Sequence, residues 1–450
     1  MRERVTRCCC ASSSSRLRAP LPCAHALLLA AQRALRTLTA SACAPAPLPC
    51  DFHAAPPSLT VRSLPPFSPR ARLNGECAAG QCVCSPAWTG ANCSTLSLLP
   101  ARLRNGYGNL TSPATSWGAG VVLDPASGTY LMFNDEMAEG CGMGTWGQNS
   151  HCVLSTASAP QGPYARQRVV LDAWCHGSSI ARDPLSGRLV LNHMANSAPR
   201  VNCTQCGGAG GVTPPGAPSG PCSQAPGAAP YTQAALLAPG AGGPFSPAPA
   251  LLNGGNCETA FAPNGSVYVA CPYGGRGNRT SCPQTALLTL STAPDLDAAL
   301  AGRWTTLPLS YEPDVCVNWE DQNIWVDSRG RLHALMHAFR GQNTSYPLPG
   351  CWDAGGGFLP AGCSALGGHL YSETGAHWHV SPVPAYTARV EYEDGSVVDF
   401  RARERPHLIT SAQGEPLWLV SAVGNPGPGG NTGAAGADHA FTLVQQLGAA

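Results

Sequence analysis

The chain has 450 residues, of which 44% are hydrophobic and only 12% are charged, and its formal net charge is +1. This near-neutral balance excludes a purely electrostatic attraction to nucleic acid or to an anionic membrane. No apolar run approaches the roughly 18 residues of a membrane-spanning helix, so no transmembrane segment is expected. All 27 basic residues are arginines, which also removes lysine as a catalytic base.

We expect residues 1–70 to be a targeting or low-complexity segment that is disordered and contributes nothing to the fold. The segment is rich in Arg, Ser, Ala and Cys, and its apolar run is short and is interrupted by Arg33. A signal peptide with a weak apolar core, an organelle-targeting peptide and a wrongly assigned start of the gene all fit this composition.

The 22 cysteines spread along the chain indicate an extracellular protein. A reducing compartment rarely uses so many cysteines without metal-ligand spacing, so we expect secretion and disulfides. N-glycosylation sequons agree with a secreted glycoprotein. Those that begin at Asn109, Asn202, Asn264, Asn278 and Asn343 are among them.

Residues 74–94 contain four cysteines at the spacing C-x4-C-x-C-x8-C, which are Cys77, Cys82, Cys84 and Cys93. A C-x-C pair is too close for the usual zinc-ligand spacing. The segment resembles the C-terminal half of an EGF-like module. This resemblance implies a Cys84–Cys93 disulfide and upstream partners for Cys77 and Cys82. Because Ala71 stands where the next upstream cysteine would be, the module is expected to be partial.

After Cys93 the sequence repeats one hairpin pattern five times. Each unit has a short apolar strand, a tight turn that ends in glycine, and a second, alternating strand. Glycine provides the positive φ that such a turn needs. The turn glycines are Gly128, Gly187, Gly265, Gly330 and Gly414. The clearest helical pattern is PDLDAALAGRW at residues 294–304.

The units start near residues 116, 175, 257, 319 and 404. Their spacing of roughly 60 to 85 residues leaves room for four strands and loops, which is typical of propeller blades. We therefore predict an all-β fold, a five-bladed β-propeller over residues 96–450, with a short disulfide-rich EGF-like segment N-terminal to it. Residues 203–230 are rich in Gly, Pro and Ala and are predicted to be a loop insertion.

Two short elements carry a further resemblance. STASAPQGPY (155–164) and the acid-led hairpin strands resemble five-bladed β-propeller glycoside hydrolases of the arabinanase and β-xylosidase type, which are related to invertases. YSETGAHW (371–378) is similar to the S-x-D-G-x-x-W turn of sialidase-like propellers, although Thr374 replaces the Asp. The resemblance implies a general base, a pKa-tuning acid and a general acid around a central funnel. Two carboxyls must flank the scissile bond, and one needs a raised pKa.

Only part of that carboxylate set has counterparts in this sequence. The starts of the innermost strands offer four candidate catalytic carboxylates, Glu258, Glu320, Asp321 and Glu404. In the first unit, where the family has its base, this sequence has Ser116-Trp117-Gly118. The resemblance then implies Glu258 or Glu320 as the acid and Asp321 as the base.

Aromatic and arginine side chains near the same strands are candidates for sugar binding, since arginine binds carboxylate or hydroxyl groups and aromatic faces stack on pyranose rings. They are Trp117, Trp146, His176, Trp319 and Arg405. A structural interpretation stays open: the acids would satisfy backbone N–H groups around the axis, and Arg405 would pair with Glu404.

We predict no cofactor and no metal site formed by named residues. His333 and His337 have the spacing that suits a metal on a helix, but they belong to an alternating strand. A Ca²⁺ in the axial channel would fit the architecture that the resemblance implies, although no residue identifies it. Three cysteine pairs about a dozen residues apart are predicted to close loops. They are Cys141 with Cys152, Cys271 with Cys282, and Cys351 with Cys363.

Two functions follow from these patterns. The first is a secreted glycoside hydrolase that acts on cell-wall or matrix polysaccharide. The alternative is a non-catalytic extracellular protein that binds a polysaccharide or a glycoprotein glycan in recognition or adhesion. A third interpretation, an inert relic, is raised by the incomplete EGF-like module. The sequence leaves the sugar, the linkage, the stereochemistry and the oligomeric state open.

Overall fold

The computed structural model of the protein describes residues 74–448 with gaps. The gaps are 79–80, 110, 113, 139–140, 144–145, 147–149, 173–174, 196–231, 241–242, 249–250, 252–255, 273–287, 313–318, 339–365, 382 and 427–438. Several expectations lie outside the described residues: those for residues 1–70, for the 203–230 insertion, and for Cys282, Cys351 and Cys363.

The described chain is almost entirely β-structure, with one short helix, α1 (Leu296–Leu300). Two small sheets come first: β1 (Gly75–Ala78) with β2 (Gln81–Cys84), and β3 (Trp88–Thr89) with β4 (Thr95–Leu96). The first large sheet contains β5 (Ser116–Asp124), β6 (Thr129–Met137), β7 (Ser150–Ala157) and β8 (Ala165–Leu171). The second contains β9 (Cys175–Arg182), β10 (Leu189–Ala195), β11 (Thr232–Ala238) and β12 (Ser246–Pro247). The third contains β13 (Glu258–Phe261), β14 (Val267–Pro272), β15 (Leu288–Ala293) and β16 (Thr305–Thr306). The fourth contains β17 (Ser310–Glu312), β18 (Trp319–Val326), β19 (Leu332–Ala338), β20 (Leu366–Ser372) and β21 (His377–Val380). The last contains β22 (Arg389–Glu391), β23 (Val397–Thr410), β24 (Pro416–Pro426) and β25 (Ala440–Gln446).

The large sheets have a propeller-like arrangement, but they are not five equal blades. Four of them are four-stranded and antiparallel, with strands paired in chain order. The fourth sheet has five strands in the order β17-β21-β20-β19-β18, and β17 pairs with β21 in parallel. Among the described residues, four regular sheets and one sheet with an added edge strand are present, so the predicted count of five blades is not confirmed.

All five glycine turns predicted from the sequence are present, and each turn joins two paired strands. The five glycines have φ values between 69° and 88°, a region that L side chains rarely adopt. Each glycine N–H donates back across its turn; that of Gly128, for example, donates to Asp124 O at 2.8 Å. The repeated hairpin could be predicted because its turn chemistry is local.

One long strand from each large sheet faces a common axis. Strands β5, β9, β13, β18 and β23 contact one another in that order, and β23 also contacts β5. Apolar side chains fill the spaces between neighbouring sheets. Phe133, Leu154 and Leu191 belong to a buried cluster of the first two sheets. Leu290, Ile324 and Trp378 belong to one of the third and fourth sheets. Each such side chain contributes about 1.5–3 kcal/mol by burial.

The segment before the first sheet pairs with the last strand. Tyr107 N donates to Thr442 O at 2.8 Å, and Thr442 N donates to Tyr107 O at 3.1 Å. The Asn105 side chain donates to Val444 O at 3.0 Å. Gly106 has a φ of 80°, and a Cβ at this position would lie 2.0 Å from Thr442 O. These contacts join the two ends of the propeller-like region.

The short N-terminal sheets pack against this region. Cys84 and Cys93 form the disulfide that the EGF-like resemblance implied. Trp88 is buried and its ring lies 4.7 Å from that of His369. Trp88 and Cys93 share a buried cluster with Trp325 of β18. This segment is therefore part of the described body of the protein.

Two of the predicted loop disulfides are wrong. Cys152 bonds to Cys175, which lies at the start of β9, so this bridge links the first and second sheets. Cys271 bonds to Cys257, which lies just before the neighbouring strand β13 of its own sheet. Cys141 is disulfide-bonded too, but not to Cys152. Both of these described bridges join segments that the fold brings together, which sequence spacing does not show. Among the described residues, no helix is long and apolar enough to cross a membrane.

We expect Gly106→Ala to destabilise the protein by more than about 2 kcal/mol, because the new methyl group meets the Thr442 carbonyl in a strained backbone conformation. Gly128→Ala is the matched control, since Gly128 also has a positive φ but nothing lies within 4 Å of the point that its Cβ would occupy. The control should lose only about 1 kcal/mol. Urea unfolding with intact disulfides measures both, and equal losses would contradict the proposed closure contact.

Candidate active site in the central funnel

Each strand that faces the axis has a residue with positive φ within the strand or just before it. These residues are Gly118 (82°), Gly177 (67°), Asn256 (58°), Asp321 (54°) and Arg405 (50°). In the first, second, fourth and last sheets, the strand register shifts at the same place, as in a β-bulge. Bulges re-aim side chains and are common next to functional sites. Since a side chain in this conformation costs about 1–2 kcal/mol, Asp321 and Arg405 are held there by their surroundings.

A small cavity lies where the bulged parts of these strands approach one another, and we call it the funnel. It is lined by Gly177, Asn256, Glu258, Asp321, Arg405 and His407, together with neighbouring backbone. Two of the four predicted catalytic carboxylates, Glu258 and Asp321, line this cavity. Glu320 and Glu404 are chain neighbours of the lining residues Asp321 and Arg405.

Arg405 crosses the funnel and explains the glycines at 118 and 177. A Cβ on Gly118 would lie 2.7 Å from Arg405 Cβ, and a Cβ on Gly177 would lie 2.8 Å from Arg405 Nη1. The first sheet therefore has no room for an acidic side chain at Gly118. The missing base of the first unit is thus a consequence of where the arginine lies.

The guanidinium of Arg405 is surrounded by carboxylates. Its Nη2 lies 3.5 Å from Asp321 Oδ1. Burial alone would lower the pKa of Arg405, but the negative charges of Asp321, Asp135, Glu320 and Glu404 outweigh it and raise the pKa. Arg405 therefore stays charged and is the central cation of the site. The alternative interpretation paired Arg405 with Glu404, whose charge is one of the four that raise the pKa of Arg405.

Asp321 is held from two sides. Asn256 Nδ2 donates to Asp321 Oδ1 at 2.6 Å, and Arg405 approaches the same oxygen. The neighbouring Gln322 donates to the carbonyls of Asn256 and Ala270, which fixes the strand start. The Asp321 side chain is only 3% exposed. The carboxylate is therefore oriented before any ligand arrives.

His337 lies between three of the carboxylates. Its Nε2 is 3.5 Å from Glu404 Oε1, and its Nδ1 is 3.9 Å from both Glu320 Oε1 and Asp321 Oδ2. Glu320 is the most accessible of these groups, with 39% of its side chain exposed. The oxygens of Glu320 and Asp321 and a ring nitrogen of His337 lie within 4.8 Å of one another. The positive charge of Arg405 beside Asp321 opposes a metal ion here, so we assign none.

Glu258 lies deeper in the funnel. Asn323 Nδ2 donates to its Oε1 at 2.6 Å, and His407 Nδ1 lies 3.3 Å from the same oxygen. Burial raises the pKa of Glu258 and the negative charge of Asp321 adds to this, while His407 and Asn323 act in the opposite direction. A buried carboxyl with a raised pKa is suited to donate a proton.

Asp135 is a site residue that the sequence reasoning missed. It is fully buried on β6, and it accepts hydrogen bonds from Gly177 N at 2.7 Å, Ser178 N at 3.1 Å and the Ser178 hydroxyl. Burial raises its pKa to about 6, against the opposing charge of Arg405. The acids in FNDEM were the available signal, since charged residues inside a strand are rarely buried without partners.

The predicted sugar-binding residues differ in accessibility. Trp117 is 6% exposed and Trp319 is 5% exposed, and both pack between sheets. His176 is 1% exposed and forms a 2.7 Å hydrogen bond between its Nδ1 and Ser150 Oγ. Its ring centroid lies 5.0 Å from that of Trp146. Burial lowers the pKa of His176 well below its usual range, and Arg405 adds to this effect. Trp146 is the predicted aromatic that keeps a partly exposed ring.

His333 is part of the interior and not of the funnel. Its ring stacks on those of Trp325 at 4.9 Å and His369 at 5.4 Å. Its Nδ1 lies 3.2 Å from His369 Nε2. Burial lowers the pKa of His333, while Asp327 acts in the opposite direction. His333 and His337 thus lie in different surroundings, although they are only four residues apart on the same strand.

Comparison with known proteins finds one short match in sequence and a broad one in structure. A family model described as a Teneurin-like EGF domain matches residues 72–95. No curated protein matches the sequence.

The structural relatives are propeller glycoside hydrolases. They include a family 117 glycoside hydrolase of the marine bacterium Zobellia galactanivorans, with 10% identity, a TM-score of 0.46, and coverage of 79% of this chain and 91% of that chain. An endo-arabinase from Bacteroides thetaiotaomicron has 11% identity, a TM-score of 0.38 and coverage of 78% and 96%. The α-L-arabinofuranosidase of Podospora anserina has 10% identity, a TM-score of 0.42 and coverage of 78% and 98%. At TM-scores below 0.5 these likenesses carry no argument about function, which has to rest on the funnel itself.

The raised pKa of Asp135 predicts a pH dependence of stability. The folded pKa is about 6 and the ordinary value is 3.8, so the folded protein binds this proton more tightly than the unfolded chain does. The free energy of unfolding should therefore fall by up to about 3 kcal/mol as the pH rises through this window. Asp135→Asn should remove this slope. Urea unfolding at pH 4 and pH 7 measures it, and parallel pH profiles for the two proteins would contradict the assignment.

Arg405→Met should destabilise the protein by about 3 kcal/mol, because it leaves the surrounding carboxylates without their cation. Arg389→Met is the matched control, since Arg389 is 52% exposed and pairs only with exposed acids. The control should change the free energy of unfolding by less than about 1 kcal/mol. Thermal unfolding at low ionic strength compares the two. Equal effects would show that Arg405 does not balance the funnel charges.

Proposed function

We propose that this protein is a secreted, glycan-directed β-propeller that hydrolyses glycosidic bonds in a cell-wall or matrix polysaccharide. The observation that carries this proposal is the pairing of two carboxyl groups with different surroundings in one cavity. Glu258 is buried with a raised pKa, while Asp321 forms an ion pair with Arg405. Glycoside hydrolysis needs one carboxyl that holds a proton and another that is ionised.

The roles follow from these surroundings. Burial raises the pKa of Glu258 and so favours its protonated form, which suits the role of the general acid that protonates the leaving oxygen. Asp321 accepts hydrogen bonds on an oriented carboxylate and acts as the base that activates water. Arg405 and the more exposed Glu320 and Glu404 contact the hydroxyl groups of the sugar at the mouth of the funnel. Trp146 provides a partly exposed aromatic face beside them.

The propeller assignment is part of the same proposal. The added strand β17 leaves the other four strands of its sheet in a blade-like order, so we count this sheet as the fifth blade. The circle of contacts among β5, β9, β13, β18 and β23 supports this count. We take residues 74–94 as a partial EGF-like module that docks on the propeller, and the disulfides support an extracellular location.

A second function, glycan binding without turnover, is favoured by a specific observation. Ser116-Trp117-Gly118 stands where the resemblance places the base, and Arg405 fills the space beside Gly118. In this case the funnel would hold a sugar through Arg405, Glu320 and Glu404 and would release it unchanged. Glu258 and Asp321 would then only hold the strands around the axis.

The test is hydrolysis of arabinan, xylan and algal-type polysaccharides by the full chain, followed by release of reducing sugar. Glu258→Gln and Asp321→Asn should each reduce kcat by about 10²–10⁴, because each removes one half of the acid–base pair. Glu391→Gln is the matched control, since Glu391 is an exposed acid on the outer strand β22 and should leave the rate unchanged.

The outcomes separate the two functions. Loss of hydrolysis in both funnel variants, with the control active, supports the hydrolase. Wild-type protein that binds a polysaccharide on a glycan array but releases no sugar would refute hydrolysis and favour recognition. Hydrolysis that survives Asp321→Asn would refute the assignment of the base.

A further inference from the structure

The extra strand of the fourth sheet carries a cluster of potential metal ligands outside the funnel. Strand β17 pairs in parallel with β21, and the register places Ser310 beside His377 and Glu312 beside His379. Because side chains two residues apart on a strand share a face, these four residues lie on one face of the two strands. The residues between them, Tyr311 and Trp378, pack towards the core on the other face.

The ligand atoms in this cluster are spaced as a small metal ion would require. Glu312 Oε2 lies 3.3 Å from His377 Nε2 and 3.6 Å from His379 Nδ1. All three ligand atoms lie within 4.8 Å of one another. At 3.3 Å, His377 Nε2 and Glu312 Oε2 are also within hydrogen-bond distance of each other. A tetrahedral ion with bonds of about 2.0–2.1 Å separates its ligand atoms by about 3.3 Å.

Neighbouring groups orient both imidazoles. Ser310 Oγ lies 2.9 Å from His377 Nδ1, so the hydroxyl engages that nitrogen while Nε2 faces Glu312. The ring of His379 stacks on Tyr371 at 5.1 Å. Hydrogen bonds to the second imidazole nitrogen are a regular feature of metal sites, because they fix the tautomer and the ring.

We propose that Glu312, His377 and His379 form a Zn²⁺ site that ties the added strand β17 to β21. Two imidazoles and one carboxylate are a usual zinc ligand set, and the exposed side leaves a fourth position for water. Ca²⁺ and Mg²⁺ prefer oxygen ligands and fit this set poorly. Parallel pairing is slightly weaker per residue than antiparallel pairing, and β17 is a short strand, so a bound ion gives this strand an added link.

Calorimetric titration of the chelator-treated full chain with ZnCl₂ tests the site. Glu312→Gln and His379→Gln should each weaken the binding of one Zn²⁺ equivalent by more than about tenfold. Ser310→Ala should weaken it by about tenfold, because His377 loses its orienting partner. Glu373→Gln is the matched control, since this exposed acid lies in the adjoining turn outside the ligand set and should bind as the wild type does.

A second measurement locates the ion. Hydrogen exchange of the β17 amides should slow when ZnCl₂ is added to the wild-type protein, and should not change in Glu312→Gln. CaCl₂ should have no such effect. The proposal is overturned if the ligand variants bind Zn²⁺ as tightly as the wild type, if Zn²⁺ leaves the exchange of β17 unchanged, or if Ca²⁺ protects β17 equally.

Discussion

The charge of Arg405 is the constraint on which the centre of this protein depends. Four acidic side chains from three sheets act on one guanidinium, and two of them, Asp135 and Asp321, are buried and would be costly to ionise without a cation nearby. The arginine reaches them from a left-handed backbone position on β23, across two glycines that have no side chain to obstruct it. The two glycines, the left-handed backbone at Arg405 and the clustering of the acids are therefore all explained by the position of the Arg405 side chain.

This arrangement also relates the fold to the proposed chemistry. A funnel with several carboxylates would repel itself without a fixed cation, and the same cation forms an ion pair with Asp321 beside the buried Glu258. The two carboxyls differ because one faces Arg405 and the other faces Asn323 and His407. The different roles that we propose for them therefore depend on neighbours from different strands.

The parts of the structure that depend on local chemistry were predicted well from the sequence. Turn glycines such as Gly187 and Gly330 identified the hairpins, and strand starts such as Glu258 and Asp321 identified the end of the axis where the acids lie. The role of Asp135, the Cys152–Cys175 bridge and the added strand β17 could not be predicted, because each depends on which distant segments become neighbours. The sequence alone also could not show that Gly118 leaves room for the Arg405 side chain.

The pairing of Tyr107 with Thr442 has a consequence for how the protein is made. The last strand of the final sheet completes the hydrogen bonding of a segment near the beginning of the described chain. During synthesis the early sheets emerge long before that partner exists, and Arg405 of the last sheet is also absent. The nascent chain therefore holds its early acids without their cation until β23 has been translated. Assembly of the funnel is necessarily a late event, and the ring of sheets closes only after translation of β25.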